Sequence, residues 1–75
     1  MKELVETLAK GLVDHPDMVK VDVIEREKSY LIELSVAQDD MGKVIGKHGK
    51  IARAIRTVVK AAATKEQKKV SVEIV

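Results

Sequence analysis

The sequence predicts a small α+β domain whose elements follow the order α-β-β-α-α-β. Three observations favour this fold class: an amphipathic helical pattern at the start, two neighbouring segments of alternating apolar residues, and a long amphipathic helix before a last alternating segment. With 75 residues, the chain has the length of one domain, residues 1–75. We therefore expect a three-stranded mixed sheet packed against three helices.

The first helix is predicted over residues 4–13, where apolar residues recur at the spacing of one helix face. Residues 14–17 should end it, because Pro16 cannot continue a helix and biases His15 towards an extended backbone. We expect the leucine stripe of this helix to lie in the core, unless part of it forms the seam of a dimer. The stripe consists of Leu4, Leu8 and Leu12.

Three segments alternate apolar and polar residues as strands do, over residues 19–24, 30–36 and 70–74. The first two are separated by the short charged segment 25–29, so we expect them to form an antiparallel hairpin. The third follows two helices, so we expect it to join the sheet parallel to a neighbouring strand through a right-handed crossover.

Two more helices are predicted between the second and third strands. Asp39 and Asp40 should cap a short helix that extends through Ile45, since carboxylates are favourable at the positive end of a helix. A longer helix is predicted over residues 50–63, with one apolar arc that packs and one positive arc that faces water. The apolar arc holds Ile51, Ala52, Ile55, Val58, Val59 and Ala62, and the positive arc holds Lys50, Arg53, Arg56 and Lys60.

Positive charge is concentrated in one stretch of the chain. Residues 1–40 hold five Lys or Arg against ten Asp or Glu, whereas residues 41–60 hold six Lys or Arg and no acid. Since the whole chain has a formal net charge of only +2, this concentration is the usual electrostatic footprint of a site for a polyanion. The three lysines of residues 64–69 are expected to be solvated loop charges.

Two glycines three residues apart, Gly46 and Gly49, lie in the middle of the acid-free stretch. Glycine has no Cβ and accepts a positive φ, so a phosphate can approach its backbone closely. Lys47 and His48 contribute N–H groups, and the first helical turn at Lys50 adds unpaired N–H donors and a positive dipole end. The sequence therefore predicts a phosphate-binding loop. We expect mobile positive charge from Lys43, Lys47, Lys50 and Arg53, and an apolar surface for bases from Val44, Ile45, Ile55 and the adjoining edge of the second strand.

The segment Val44-Ile45-Gly46-Lys47-His48-Gly49, followed by Ile55 on a basic helix, resembles the GxxG loop of KH domains. With Leu12-Val13-Asp14-His15-Pro16 and the element order, the whole chain is similar to the small single-domain bacterial KH proteins, the KhpA family, which have the type II KH fold. The resemblance implies binding of single-stranded RNA, about four nucleotides at a time, and a role as an RNA chaperone or post-transcriptional regulator. The site residues it implies are Lys43, Ile45, Gly46, Lys47, His48, Gly49, Lys50 and Arg53.

The groove implied by the resemblance should bind RNA weakly and permissively. The KH pattern places a large aliphatic residue three positions after the second glycine, and here that residue is Ala52, so we expect a shallow groove floor. Tyr30 is the sole aromatic residue, so bases cannot stack on a set of rings. The resemblance also implies self-association into a homodimer and, as a partner, a larger RNA-binding protein of the KH type.

Other functional classes fit the sequence less well. An enzyme is disfavoured because there is no cysteine, the two histidines lie far apart and the P-loop-like spacing is one residue short, so no cofactor or metal is expected. A helix-turn-helix that binds duplex DNA has a similar outline, but its recognition side would hold few base-reading Asn or Gln side chains. A scaffold that acts mainly through a protein partner stays open as an alternative. No apolar run approaches a membrane span, so we expect a cytoplasmic protein without a membrane partner.

Overall fold

The computed structural model describes residues 1–46 and 49–75, and Lys47 and His48 lie outside the described residues. Within these ranges the elements follow the predicted order, with one added 3₁₀ turn, and the α+β fold class is confirmed. The predicted boundaries lie within two residues of those observed. The elements are α1 (Lys2–Leu12), the 3₁₀ turn Pro16–Met18, β1 (Lys20–Glu25), β2 (Ser29–Ser35), α2 (Gln38–Ile45), α3 (Lys50–Lys65) and β3 (Lys69–Ile74).

The central strand of the sheet is β2, with β1 antiparallel on one side and β3 parallel on the other. The predicted hairpin and the predicted parallel crossover are therefore confirmed. The expectation that bases reach an edge of the second strand is wrong, because both edges of β2 are paired. In the described part of the chain β3 pairs only with β2, so β3 provides the free edge beside α3.

The two faces of the sheet differ in character. Ile32 and Leu34 of β2 are fully buried in the same core as residues of the three helices. Because side chains alternate between the faces of a strand, the opposite face carries the intervening residues. There Asp22 of β1 lies opposite Glu33 of β2, and Glu33 lies opposite Glu73 of β3. We call these three carboxylates the acidic row.

Helix α1 packs with a different stripe from the one predicted. Val5 and Ala9 are fully buried, whereas Leu4 and Leu8 are half-buried and Leu12 is 37% exposed. The prediction that the leucine stripe forms the core is therefore wrong for its centre. The smaller side chains of Val5 and Ala9 occupy the side of the helix that lies closest to the rest of the core, and the leucines flank that contact.

Helix α3 separates an apolar face from a positive face, as predicted. Its buried residues are Ala52, Ile55, Val59 and Ala63. Val58 departs from the predicted apolar arc, because it lies at the margin of the buried face and is 41% exposed. The exposed cations recur every three or four residues and therefore share one side of the helix. We call Lys50, Arg53, Arg56 and Lys60 the basic stripe. Neither this helix nor any other within the described ranges is long and apolar enough to cross a membrane.

Candidate nucleic-acid interface

Gly46 is the residue at which α2 ends and the chain turns towards α3. Its N–H donates a hydrogen bond of 2.7 Å to the carbonyl oxygen of Gly42. A Cβ atom at Gly46 would clash with that same oxygen. The φ of Gly46 is −79°, which any residue adopts. Glycine is therefore required here for space, and the expectation of a positive φ at Gly46 is wrong.

Gly49 is required for its backbone angle. Its φ of +64° lies in the left-handed region, which costs a residue with a Cβ about 1–2 kcal/mol. Its N–H donates a hydrogen bond of 2.9 Å to the carbonyl oxygen of Gly46, which closes the turn. The prediction of a positive φ is confirmed at this glycine. The N–H groups expected from Lys47 and His48 fall outside the described residues and stay predictions.

The start of α3 is suited to an anion. Gly49 is the N-cap and has no side chain that could accept a hydrogen bond from the first turn. The first turn holds no acidic residue, and Lys50 within it is exposed. The N–H groups and the positive dipole end of the helix are therefore surrounded by positive charge, which favours a phosphate at this position.

The predicted cations around the turn differ in their surroundings. Lys50 and Arg53 belong to the basic stripe and have exposed side chains. Lys43, on α2, forms an ion pair with Asp14, with 3.2 Å between Nζ and Oδ1. The expectation that Lys43 is freely mobile is therefore wrong, because a phosphate must compete with Asp14 for it.

The predicted apolar surface beside the turn is reduced to one residue. Ile45 is 55% exposed, whereas Val44 and Ile55 are buried. Because these two side chains hold α2 and α3 in the core, they offer no surface to a base. Ala52, expected from the sequence to make the groove floor shallow, is also buried and does not form that floor.

A groove between α3 and β3 extends the positive surface away from the turn. It encloses about 370 Å³ and is lined by Arg56 and Lys60 from the helix and by Val70, Ser71 and Val72 from the strand. The two valines are half-buried and give the groove an apolar wall. The outer edge of β3 carries N–H and C=O groups that pair with no strand in the described part of the chain.

The sequence pattern did not indicate this groove, although one signal was present. A parallel crossover through α2 and α3 must return the last strand to the sheet close to α3. The hydrophobic alternation of residues 70–74 does not say which edge that strand takes, because the pattern is the same at either edge.

The two aspartates at the start of α2 lie in its first turn but do not cap it. The N-cap is Ala37, which has no side-chain hydrogen-bonding group. Asp40 is 1% exposed, and its carboxylate accepts hydrogen bonds from the N–H groups of Asp14 (3.1 Å) and His15 (3.0 Å). The predicted cap is therefore wrong, because Asp40 bonds the segment after α1 instead of its own helix. No group of acidic and histidine side chains within residues 1–46 and 49–75 is arranged to hold a metal ion.

Lys68, at the end of α3 away from the glycines, forms a cluster with Glu25, Tyr30 and Glu66. Its Nζ lies 2.6 Å from Oε2 of Glu25 and 4.4 Å from the centre of the Tyr30 ring. The Tyr30 hydroxyl donates a hydrogen bond of 2.9 Å to Oε1 of Glu66. We call these four residues the Lys68 cluster. The expectation that Lys68 is a solvated loop charge is wrong, because the fold brings Glu25 of the hairpin to it.

These contacts shift three pKa values. The hydrogen bond from Lys68 lowers the pKa of Glu25, and the same bond raises the pKa of Lys68. The hydrogen bond to Glu66 raises the pKa of Tyr30, because it stabilises the protonated phenol. The cluster is therefore an internal polar link between the hairpin and the segment before β3.

Comparison with protein families matches residues 2–74 to the family described as KhpA/KhpB, KH domain. Similar proteins named RNA-binding protein KhpA occur in several bacteria. Those of Clostridium acetobutylicum and Caldanaerobacter subterraneus subsp. tengcongensis are 63% and 64% identical to this chain over 75 residues, which is the whole of both chains in each comparison. That of Borreliella burgdorferi is 54% identical over 72 residues, 96% of this chain and 88% of its own length.

No solved structure matches the chain significantly. The family match extends over nearly the whole chain, and the helices and mixed sheet are consistent with a KH domain. The family is a non-enzymatic one. From its glycine turn, its element order and these matches, the chain belongs to the KhpA/KhpB family of KH-domain proteins.

Proposed function

We propose that residues 1–75 act as a single KH domain that binds single-stranded RNA. The observation that carries this proposal is the positive surface that begins at the glycine turn, follows the basic stripe and reaches the groove beside β3. Relatives of the same length that carry the name RNA-binding protein KhpA support it. The residues proposed to contact RNA around the turn are Lys43, Ile45, Gly46, Lys47, His48, Gly49, Lys50 and Arg53.

The RNA backbone lies along the turn in this proposal. Gly46 and Gly49 keep Cβ atoms out of its way, and N–H groups of the turn and of the first turn of α3 donate to phosphate oxygens. Lys47, Lys50 and Arg53 neutralise phosphate charge. Lys43 joins them when it exchanges its contact with Asp14 for one with a phosphate.

The bases lie beside the turn and in the groove between α3 and β3. Ile45 provides an apolar contact next to the turn, and Val70 and Val72 provide the wall of the groove. The free edge of β3 donates and accepts hydrogen bonds with base edges. Tyr30, the sole aromatic residue, is buried, so no base stacks on a ring and binding is weak and permissive.

The central experiment replaces Lys47 and His48 together with Asp. Two carboxylates then repel the phosphates, and we expect binding to a single-stranded oligoribonucleotide to be lost while the circular dichroism spectrum is unchanged. A matched control is Lys2→Asp with Thr7→Asp, which makes the same change in net charge at exposed positions of α1. Full retention of binding by the first variant would remove the turn from the site.

The salt dependence of binding tests the electrostatic part of the proposal. If about three or four phosphates of a single strand are neutralised, log affinity should fall against log salt with a slope of roughly −2 to −3. Affinity that does not respond to salt would contradict it. Competition with single-stranded DNA and with duplex DNA completes the test, because a preference for the duplex would favour the helix-turn-helix alternative.

We also propose that the protein acts in the cytoplasm as an RNA chaperone or post-transcriptional regulator, as a homodimer and with a larger RNA-binding protein of the KH type. Leu12 and Val58 support a protein partner, since these apolar side chains are 37% and 41% exposed on the helices. Sedimentation over a range of concentrations tests the dimer, and a monomer throughout would contradict it. Affinity capture with the Lys47→Asp/His48→Asp variant tests the scaffold alternative, in which partner binding survives the loss of RNA binding.

A further inference from the structure

We propose that Asp40 positions the RNA-binding turn, because its buried carboxylate ties the segment after α1 to the helix that carries Gly46. The inference rests on the proposed function and adds to it a residue that does not itself contact RNA. Asp40 is the one charged side chain that is buried among the described residues. A buried carboxylate is costly unless hydrogen bonds compensate for its lost hydration, so its partners explain its presence.

The partners of Asp40 are two N–H groups that lie just beyond α1. The helix ends at Leu12, and Val13 has an extended backbone. The N–H groups of Asp14 and His15 follow, and each donates to a different oxygen of the Asp40 carboxylate, at 3.1 and 3.0 Å. One side chain thereby joins the end of α1 to the first turn of α2.

Two further contacts join the same segments. Nζ of Lys43 lies 3.2 Å from Oδ1 of Asp14, and Oδ2 of Asp39 lies 3.9 Å from Nε2 of His15. Both are more exposed than the Asp40 contact and are therefore weaker. We call this set of contacts the clasp. Its members are Asp14, His15, Asp39, Asp40 and Lys43.

The clasp controls the turn through α2. This helix has eight residues, so Asp40 and Gly46 are separated by about 9 Å along its axis. Val44 anchors one side of α2 in the core, and Asp40 fixes its rotation about that anchor. Because the N–H of Gly46 is bonded to the carbonyl of Gly42, the turn moves together with α2. The geometry of Gly46 relative to the start of α3 therefore depends on Asp40.

Replacement of Asp40 separates positioning from simple electrostatics by the sign of the effect. Asp40 is a negative charge on the helix that leads to a phosphate site, so its removal alone would strengthen RNA binding. Loss of the clasp instead leaves the turn in its binding geometry for only part of the time, and the apparent dissociation constant rises by the inverse of that fraction. Asp40→Asn has the same size but offers an NH₂ group to one of the two N–H donors, so it retains one of the bonds at most.

The experiment measures binding of a single-stranded oligouridylate by fluorescence anisotropy, well below the unfolding temperature. We expect Asp40→Asn to weaken binding about fivefold or more, as for a turn that is competent about a fifth of the time. Asp39→Asn removes the same charge from the exposed side of the same turn and should bind no more weakly than the wild type. Val5→Ala destabilises the core on α1 and should leave RNA affinity unchanged.

Amide chemical shifts of the RNA-free protein provide a second measurement. The shifts of Gly46 and Gly49 should move in Asp40→Asn and stay in place in Asp39→Asn and Val5→Ala. The proposal is overturned if Asp40→Asn binds RNA as tightly as the wild type, or if Val5→Ala loses affinity equally. A wild type that binds no RNA would instead defeat the proposed function, and the amide shifts would then decide whether Asp40 positions the turn.

A third measurement needs no variant and covers the case in which Asp40→Asn does not fold. If the clasp favours RNA binding, RNA must favour the clasp to the same extent. Saturation of the wild type with oligouridylate should therefore slow hydrogen exchange at the amides of Asp14 and His15. Exchange at these two amides that is unaffected by RNA would overturn the proposal.

Discussion

The basic stripe and the Lys68 cluster both place lysines beside α3, but the fold treats these lysines differently. The stripe lies within residues 41–60, which contain no acid, and its side chains are exposed. Lys68 follows the same helix, yet its side chain is only 15% exposed and is bonded to Glu25 of the hairpin. The difference shows that a lysine is available to RNA only where the fold supplies no carboxylate to it.

The largest effect is expected from reversing charge in the stripe. Arg56→Glu with Lys60→Glu places two carboxylates in the groove between α3 and β3, and we expect RNA affinity to fall about 30-fold or more at low salt, with a salt slope shallower by about 2. Lys10→Glu with Lys28→Glu makes the same charge change at exposed positions elsewhere and serves as the control. Equal losses in the two double variants, measured by anisotropy titration, would show that net charge alone decides binding.

Removal of the Lys68 charge should affect stability and leave RNA binding in place. Lys68→Met keeps much of the side-chain length but leaves Glu25 without its hydrogen-bond donor. We expect RNA affinity within about twofold of the wild type, because one unavailable cation contributes no phosphate contact, and a lower melting temperature. Calorimetry and the same titration measure the two quantities. A loss of affinity as large as that of the stripe variant would break the distinction between the two regions.

The ion pair of the Lys68 cluster should give stability a specific dependence on pH. Because Lys68 lowers the pKa of Glu25 from its ordinary value of 4.5, the folded protein binds that proton less readily than the unfolded chain. The contribution of the pair is fully present above pH 4.5 and is lost as the pH falls through the lowered pKa. The melting temperatures of wild type and Glu25→Gln should differ at neutral pH and converge well below pH 4.5. A difference that stays constant with pH would contradict this account of the pair.

The smallest effect is expected at Tyr30, the sole aromatic residue of the chain. Its phenol should titrate above the ordinary pKa of 10.0, because the hydrogen bond to Glu66 favours the protonated form. In Glu66→Gln the midpoint of the ultraviolet titration should move back towards 10.0, while RNA affinity stays unchanged. A midpoint that is the same in both proteins would show that Glu66 does not control this group in solution.

The fold was predictable from periodicity because each element packs one clearly apolar face. The hairpin and the crossover followed from the lengths of their connections. The helix α1 shows where periodicity stops: Val5 and Leu4 belong to the same apolar arc, and the pattern does not say which side chain fits the closest approach of the helix to the core. Burial of Val5 depends on the shape of the neighbouring surface, which the local sequence does not contain.

The candidate site was predictable where it depends on local backbone and charge. Gly49 at a helix start implies both a positive φ and a site for an anion. The contacts of Asp40 and Lys68 were not predictable, because their partners Asp14, His15 and Glu25 lie far away in the sequence and only the tertiary fold brings them near. The groove beside β3 was not predictable for the same reason.

The acidic row makes the molecule one-sided towards polyanions. Asp22, Glu33 and Glu73 repel phosphate across the far face of the sheet, and the helical side attracts it. A single copy can consequently hold one strand but cannot bridge two, because a second strand that approaches from behind meets only negative charge. Annealing of two RNA molecules by this protein therefore requires at least two copies with their acidic sides turned away from the nucleic acid.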